Sequence, residues 1–167
     1  MAPTHLFDIS GIDFSKEQHG ADVIEATNPH RGVMRLIDGI THESEDHWQA
    51  IAYKEIRADE FWVPGHIPGR PIFPGVLMLE ALAQAAALLA FDALGTGPSE
   101  DLVYYFAGID NARFKRPVEP GDQLTLDVEM VRMKAGIFKF NCSASVDGTL
   151  AVQAELTCAV RPVVASN

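Results

Sequence analysis

The sequence predicts an α+β domain in which one long buried helix is set against an antiparallel sheet. Three observations carry this: a helical stretch from residue 75 to 91 with no continuous polar side, clean period-two alternation from 123 to 160, and a length of 167 residues without internal repeats. A chain of this length fits one domain and buries a real core. The division read from the sequence is an N-terminal extension over 1–20, a folded domain over 21–163 and a C-terminal tail over 164–167.

Taken in order, residues 1–20 lack a packing pattern and are expected to be loosely ordered. ADVIEAT at 21–27 reads as a short helix ended by Pro29, which disfavours helical geometry at Asn28. Strands are expected at about 34–41 and 47–55, separated by the polar turn HESED. The cluster His42, Glu43, Glu45, Asp46 and His47 has no fixed ligand spacing, so it is read as a solvated turn and no metal site is assigned. ADEFW at 58–62 forms a short helical turn leading into a loop held by Pro64, Gly65, Pro68, Gly69, Pro71, Pro74 and Gly75. Prolines restrict φ and glycines permit close backbone approach, more constraint than a connecting loop requires.

The long helix begins at Pro74 or Gly75, since proline suits a first helical position. From Val76 to Phe91 only Glu80 and Gln84 are polar, one above the other at a spacing of four. A helix apolar nearly all round is buried on all sides. Glu80 is therefore either paired with a cation or held partly protonated for chemistry. Gly95, Gly97 and Pro98 end the helix. Leu124, Leu126, Val128 and Met130 then alternate with polar neighbours, and the phase slips at Val131 and Met133, predicting a bulge near Met130. A turn at residues 134–136 and another at Asp147-Gly148 separate strands whose apolar faces carry Phe138 to Val146 and Leu150 to Val160.

The net charge of −10 argues against nucleic acid or an anionic membrane as the main partner. Cys142 and Cys158 are too few for a disulfide framework, and hairpin pairing sets residue 142 opposite roughly 155, so both read as buried free thiols in a reducing cytoplasm. The N-terminus has no basic region followed by an apolar core, so no secretory signal is predicted. The uninterrupted apolar run Ala85 to Phe91 is far short of the ~20 residues of a bilayer span.

Four segments carry a resemblance: GHIPGRPIFPGVLMLEALAQ at 65–84, NPHR at 28–31, LID at 36–38 and YYFAGIDNARFKRPVEPGD at 104–122. Together they resemble the β-hydroxyacyl-acyl carrier protein dehydratases of the FabZ type. The resemblance implies the hot-dog fold, an antiparallel sheet wrapped around one long central helix, with two subunits joining their sheets. It implies dehydration of a (3R)-3-hydroxyacyl thioester on acyl carrier protein to the trans-2-enoyl thioester, as in fatty acid, related lipid or polyketide synthesis. The substrate carries the phosphopantetheine thioester and no cofactor is needed.

In this resemblance His66 is the base that removes the α-proton and Glu80, its pKa raised by burial, is the acid that expels the β-hydroxyl as water. Gly75 offers its N–H to the thioester carbonyl at the positive end of the helix. Gln84 supports Glu80 or lies at the dimer seam. Ile67 and Tyr105 line the acyl tunnel or pack in the core. Arg113, Lys115 and Arg116 form a positive patch for the acidic carrier protein, extended by Arg132, Lys134 and Lys139 or leaving those three as a solvated face. His66 and Glu80 of one site come from opposite subunits, so a homodimer is expected, with a trimer of dimers as the larger assembly. Glu at position 80, where the FabA-type isomerising relatives carry Asp, favours dehydration alone. The chain departs from the family pattern at Gly32 to Arg35, which bears on the tunnel entrance or dimer contacts, and at Ala58 and Ile67, which points to a different acyl preference. Two rivals are a hot-dog thioesterase and a non-catalytic carrier-binding subunit; retention of both His66 and Glu80 favours elimination over either.

Overall fold

The computed structural model describes residues 5–163. The tail assigned to 164–167 and the first four residues of the extension lie outside the described residues. Short helix α1 (Ala21–Thr27) and a 3-10 turn (Gly32–Met34) precede β1 (Gly39–Glu43) and β2 (Gln49–Glu55). Helix α2 (Gly75–Leu94) follows, then β3 (Leu102–Phe114), β4 (Gln123–Lys134), β5 (Ile137–Val146) and β6 (Thr149–Pro162). All strand pairs are antiparallel, in one six-stranded sheet ordered β1-β2-β4-β5-β6-β3.

The sheet wraps α2, which packs against β2, β3, β4, β5 and β6. Its residues from Met78 to Phe91 are buried apart from Glu80. By length and composition α2 could cross a bilayer, with a mean hydropathy of 1.7, but 72% of that window is buried inside this fold. Pro74 caps its start, and Gly95 closes its end in the left-handed conformation, with the Gly95 and Thr96 N–H groups donating to the Asp92 and Phe91 carbonyls.

The predicted bulge is present: the β4–β5 register shifts between Met130 and Arg132. Cys142 pairs with Ala154, one residue from the expected partner, with a second register shift between Ala144 and Ser145. Cys158 sits opposite Phe138, and both thiols are free, their pKa values raised by burial.

Two expectations are corrected. The strand expected at 34–41 starts only at Gly39, because the buried Gln84 side chain captures its predecessors: Leu36 N–H donates to Gln84 Oε1 at 2.8 Å, and Gln84 Nε2 donates to the Met34 carbonyl at 2.8 Å. Backbone groups satisfied by a helix side chain have no need of a strand partner. The described part of the extension is not loose. His19 and Ile40 form an isolated antiparallel bridge, Gln18 bonds the Glu43 backbone, and His5 Nδ1 lies 2.7 Å from Asp127 Oδ2. This segment covers the outer edge of β1. The opposite edge, β3, has no strand beyond it among the described residues.

Candidate active site

The loop before α2 rests on a buried floor that the sequence reading did not identify. Lys54 Nζ lies 3.0 Å from Glu60 Oε2, the Trp62 indole N–H donates to the same oxygen at 3.1 Å, and Trp62 meets Phe73 edge-on at 5.3 Å between centroids. The Trp62 carbonyl accepts the N–H groups of Gly65 and His66, so this floor positions the histidine. A tight turn joins Ile67 and Arg70 through two mutual backbone bonds, and Phe73 N–H donates to the Val118 carbonyl at 2.7 Å, tying the loop to the β3–β4 connection.

His66 is exposed. Its Nδ1 lies 2.7 Å from the Ile72 carbonyl, which can only accept, so the proton resides on Nδ1 and Nε2 keeps its lone pair. That is the tautomer a base needs. Gly75 opens α2, and among the described residues neither its N–H nor that of Val76 donates to a backbone acceptor. A Cβ at position 75 would stand 2.8 Å from Phe114 Cε1, so the absence of a side chain lets that ring lie against the helix start. Ile72, Phe73, Gly75, Met78, Phe114 and Lys115 line an open groove of about 410 Å³ at this point, largely apolar with cationic Lys115 and Arg116 on its rim.

Glu80 lies one turn further along. Its Oε1 is 3.3 Å from His30 Nε2 and accepts from Gln84 Nε2 at 3.0 Å. The raised pKa expected of Glu80 is corrected. Burial is the largest single influence and pushes it up, but the hydrogen bonds from His30 and Gln84 and the charge of the imidazole together outweigh it, and the net shift is downward. His30, from the NPHR segment, is the residue sequence reasoning missed. The segment served only to mark the family, and nothing local signals contact with a helix fifty residues away. Its Nδ1 is buried without a hydrogen-bond partner.

The structure brings Gln84 to Glu80 as expected; Gln84 is 1% exposed, and its backbone carbonyl also accepts from Asn28 Nδ2 at 2.7 Å. It does not bring His66 to Glu80 within one protomer: among the described residues no hydrogen bond or ion pair joins them. Ile67 and Tyr105 are exposed, Tyr105 in a row with Val103 and Ile109 along the uncovered β3 edge. Arg113 and Lys115 are also exposed, and neither forms an ion pair among the described residues. Arg116 differs. Its guanidinium donates to the Val146 carbonyl at 3.2 Å and lies 3.7 Å from Asp122 Oδ2, clasping the starts and ends of neighbouring strands. Arg132, Lys134 and Lys139 line a second groove of about 380 Å³ at the β4–β5 turn, where Arg132 stands directly opposite Lys139.

A family model described as the FabA-like domain matches residues 28–155. The chain is 62% identical over 136 residues to a protein of Albidiferax ferrireducens named 3-hydroxyacyl-[acyl-carrier-protein] dehydratase FabZ, covering 81% of this chain and 89% of that relative. It is 55% identical over 135 residues to a protein of the same name from Polaromonas naphthalenivorans, covering 81% and 92%. Among solved structures, the dehydratase heterocomplex ApeI:P of Xenorhabdus doucetiae superposes with a TM-score of 0.69 at 17% identity over 81% of this chain and 89% of that one. A thioesterase of Haemophilus influenzae superposes with a TM-score of 0.60 at 14% identity over 98% and 97%. These two likenesses speak to the hot-dog fold alone.

Proposed function

The chain belongs to the FabZ 3-hydroxyacyl-acyl carrier protein dehydratases, within the FabA-like domain family, and on that premise we propose how its residues carry out the elimination. The reaction is loss of water from a 3-hydroxyacyl thioester on acyl carrier protein, in fatty acid synthesis. The observation that carries the assignment of roles is the His66 tautomer: Nδ1–H committed to the Ile72 carbonyl and Nε2 free at the mouth of the loop.

His66 Nε2 takes the α-proton. The electron pair left on the α-carbon forms the new double bond as the β-carbon–oxygen bond breaks, and the hydroxyl leaves as water with a proton from the Glu80 carboxyl. The thioester carbonyl sits at Gly75, where the free N–H and the helix dipole stabilise the charge that builds on its oxygen. Glu80 tends towards the ionised form beside His30, and the cycle closes when His66 releases the proton it took and Glu80 takes one up from solvent. No electrons are gained or lost overall, so the chemistry calls for no redox cofactor. The acyl chain runs past Ile67 and Tyr105, and Glu80 in place of Asp favours dehydration without isomerisation.

The complete site needs a second copy of the chain. Support comes from the lack of a hydrogen bond or ion pair between His66 and Glu80 among the described residues, from Val76 at 70% exposure beside Gly75, and from the thirteen-residue β3 edge carrying exposed Val103, Tyr105 and Ile109. An exposed apolar edge strand is a template for pairing, whereas β1 is already covered. A homodimer joined along β3, with a trimer of dimers as the larger form, puts His66 of one protomer near Glu80 of its partner. The acidic carrier protein docks on cations without an ion-pair partner among the described residues: Lys115 at the groove with Arg113 two residues before it on the chain, and Arg132, Lys134 and Lys139, of which Arg132 and Lys139 stand directly opposed across a strand pair. Buried free thiols suit a reducing compartment such as the cytoplasm.

The test follows interconversion of crotonyl- and 3-hydroxybutyryl-acyl carrier protein by mass spectrometry, with wild type, His66→Ala and Glu80→Gln. Wild type interconverts the two and each variant fails. Release of free acid would instead identify a thioesterase, and binding without turnover a carrier-binding subunit. Mixing the two dead variants restores about a quarter of wild-type turnover, because half the dimers are mixed and each holds one intact site. No recovery on mixing removes the shared site.

A further inference from the structure

At the C-terminal end of α2, about 18 Å along the helix axis from Glu80, four side chains from three separate parts of the chain meet. His19 comes from the N-terminal segment, Glu43 and His47 flank the β1–β2 turn, and Asp92 stands in the last turn of α2. Ligand atoms of Glu43, His47 and Asp92 all lie within 4.8 Å of one another. Glu43, with its side chain only 4% exposed, turns one oxygen to His47 Nδ1 at 2.7 Å and the other to His19 Nε2 at 3.3 Å.

We propose that Glu43, His47 and Asp92, with His19 as fourth ligand, bind a zinc-class divalent transition metal at a structural site. Two imidazoles and two carboxylates suit zinc and its first-row neighbours rather than calcium or magnesium, which prefer oxygen donors throughout. Two carboxylate charges match a divalent ion with both imidazoles neutral. Ligand bonds of about 2.0–2.2 Å in a tetrahedron set donor atoms roughly 3.3–3.5 Å apart. His47 Nδ1 and His19 Nε2 face different oxygens of Glu43, at 2.7 Å and 3.3 Å, so ligation through one oxygen needs a rotation of that carboxylate and an opening of the His47 contact.

The surroundings independently ask for a cation. Asp92 sits at the negative end of the helix dipole, where an acid is disfavoured, with no basic residue in that turn. Glu43 faces it, so two carboxylates share this small cluster with the His47 ring. A metal would staple the N-terminal segment, the β1–β2 turn and the end of α2 together. The polar-turn reading of HESED holds for Ser44 and Asp46, which bond each other and the Trp48 N–H in the exposed turn. Glu43 and His47 instead group with Asp92. This site does not rest on the dehydratase reading.

The experiment uses tag-free full-length protein stripped with a chelator, titrated with zinc by calorimetry and followed by thermal unfolding, with cobalt absorption as a second probe. Expected are one zinc per chain, a zinc-dependent rise in Tm and tetrahedral cobalt bands without thiolate charge transfer. His47→Gln and His19→Gln, both outside the core, each raise Kd, His47→Gln by about 100-fold, and reduce the Tm gain, while metal-free turnover stays at the wild-type level. Binding unchanged in both variants, thiolate bands that move the metal to Cys142 and Cys158, or a stoichiometry well below one would each overturn the site.

Discussion

Glu80 and Asp92 stand about three turns apart on the same helix, each half-buried, and burial is the largest influence on both; yet one carboxyl is shifted down and the other up. The difference lies in what faces them. Glu80 meets an imidazole and an amide N–H, so its charged form is hydrogen-bonded. Asp92 meets Glu43, a second carboxylate with few groups to offset it beyond the flanking histidines. Desolvation alone would have made the two alike; the neighbouring groups make the N-terminal end of α2 a place for proton transfer and the C-terminal end a place for a cation.

The sharpest way to break this comparison is to neutralise each carboxylate in the same assay. Glu80→Gln is expected to lower dehydration turnover by about 10²–10⁴-fold, whereas Asp92→Asn leaves kcat within about twofold; equal losses would erase the distinction between the two ends. Gly75→Ala places a methyl against Phe114, and displacement of the ring should reduce kcat/KM by about tenfold, with partial recovery when Phe114 is shortened to Leu. His30→Ala removes the group holding Glu80 down, so burial prevails and the limb of the pH–rate profile belonging to Glu80 moves to higher pH; an unmoved limb would separate His30 from the pKa of Glu80.

Asp92→Asn in chelator-treated protein relieves the repulsion from Glu43. Tm at pH 8 is expected to rise by about 2–4 °C for each kcal/mol relieved, while the gain from added zinc is lost. The smallest effect is on acid stability. Because the folded pKa of Glu80 lies below its ordinary value of 4.5, its contribution is complete above that value and is lost as pH falls through the lowered one. Glu80→Gln should therefore flatten the acid side of the urea-midpoint profile, and a profile parallel to wild type would place the net shift elsewhere.

Features written in neighbouring residues were legible. The helix at 75–94 follows from apolar residues on every side with Pro74 before and Gly95 after, and the bulge beyond Met130 from a slip in alternation. Glu80 stood out as a polar group on an apolar helix, and His66 through a loop with more proline and glycine than a connection requires. The early strand was misread because 34–38 has strand-like residues whose backbone is claimed by Gln84, a partner some fifty positions away. His30 was passed over for the same cause, and the N-terminal segment read as loose because its partners, Ile40, Glu43 and Asp127, lie in strands.

By itself, then, the sequence determined the long helix, the alternating strands from 123 onward and the polar side chain out of place on that helix, since these depend on periodicity and on the cost of burying a polar group. Only the tertiary structure decided in which direction the pKa of a half-buried carboxyl moves. That outcome depends on groups brought within a few ångströms by strand order and helix docking, and the chain carries no local mark of the distance between residues 30 and 80 or between 43 and 92.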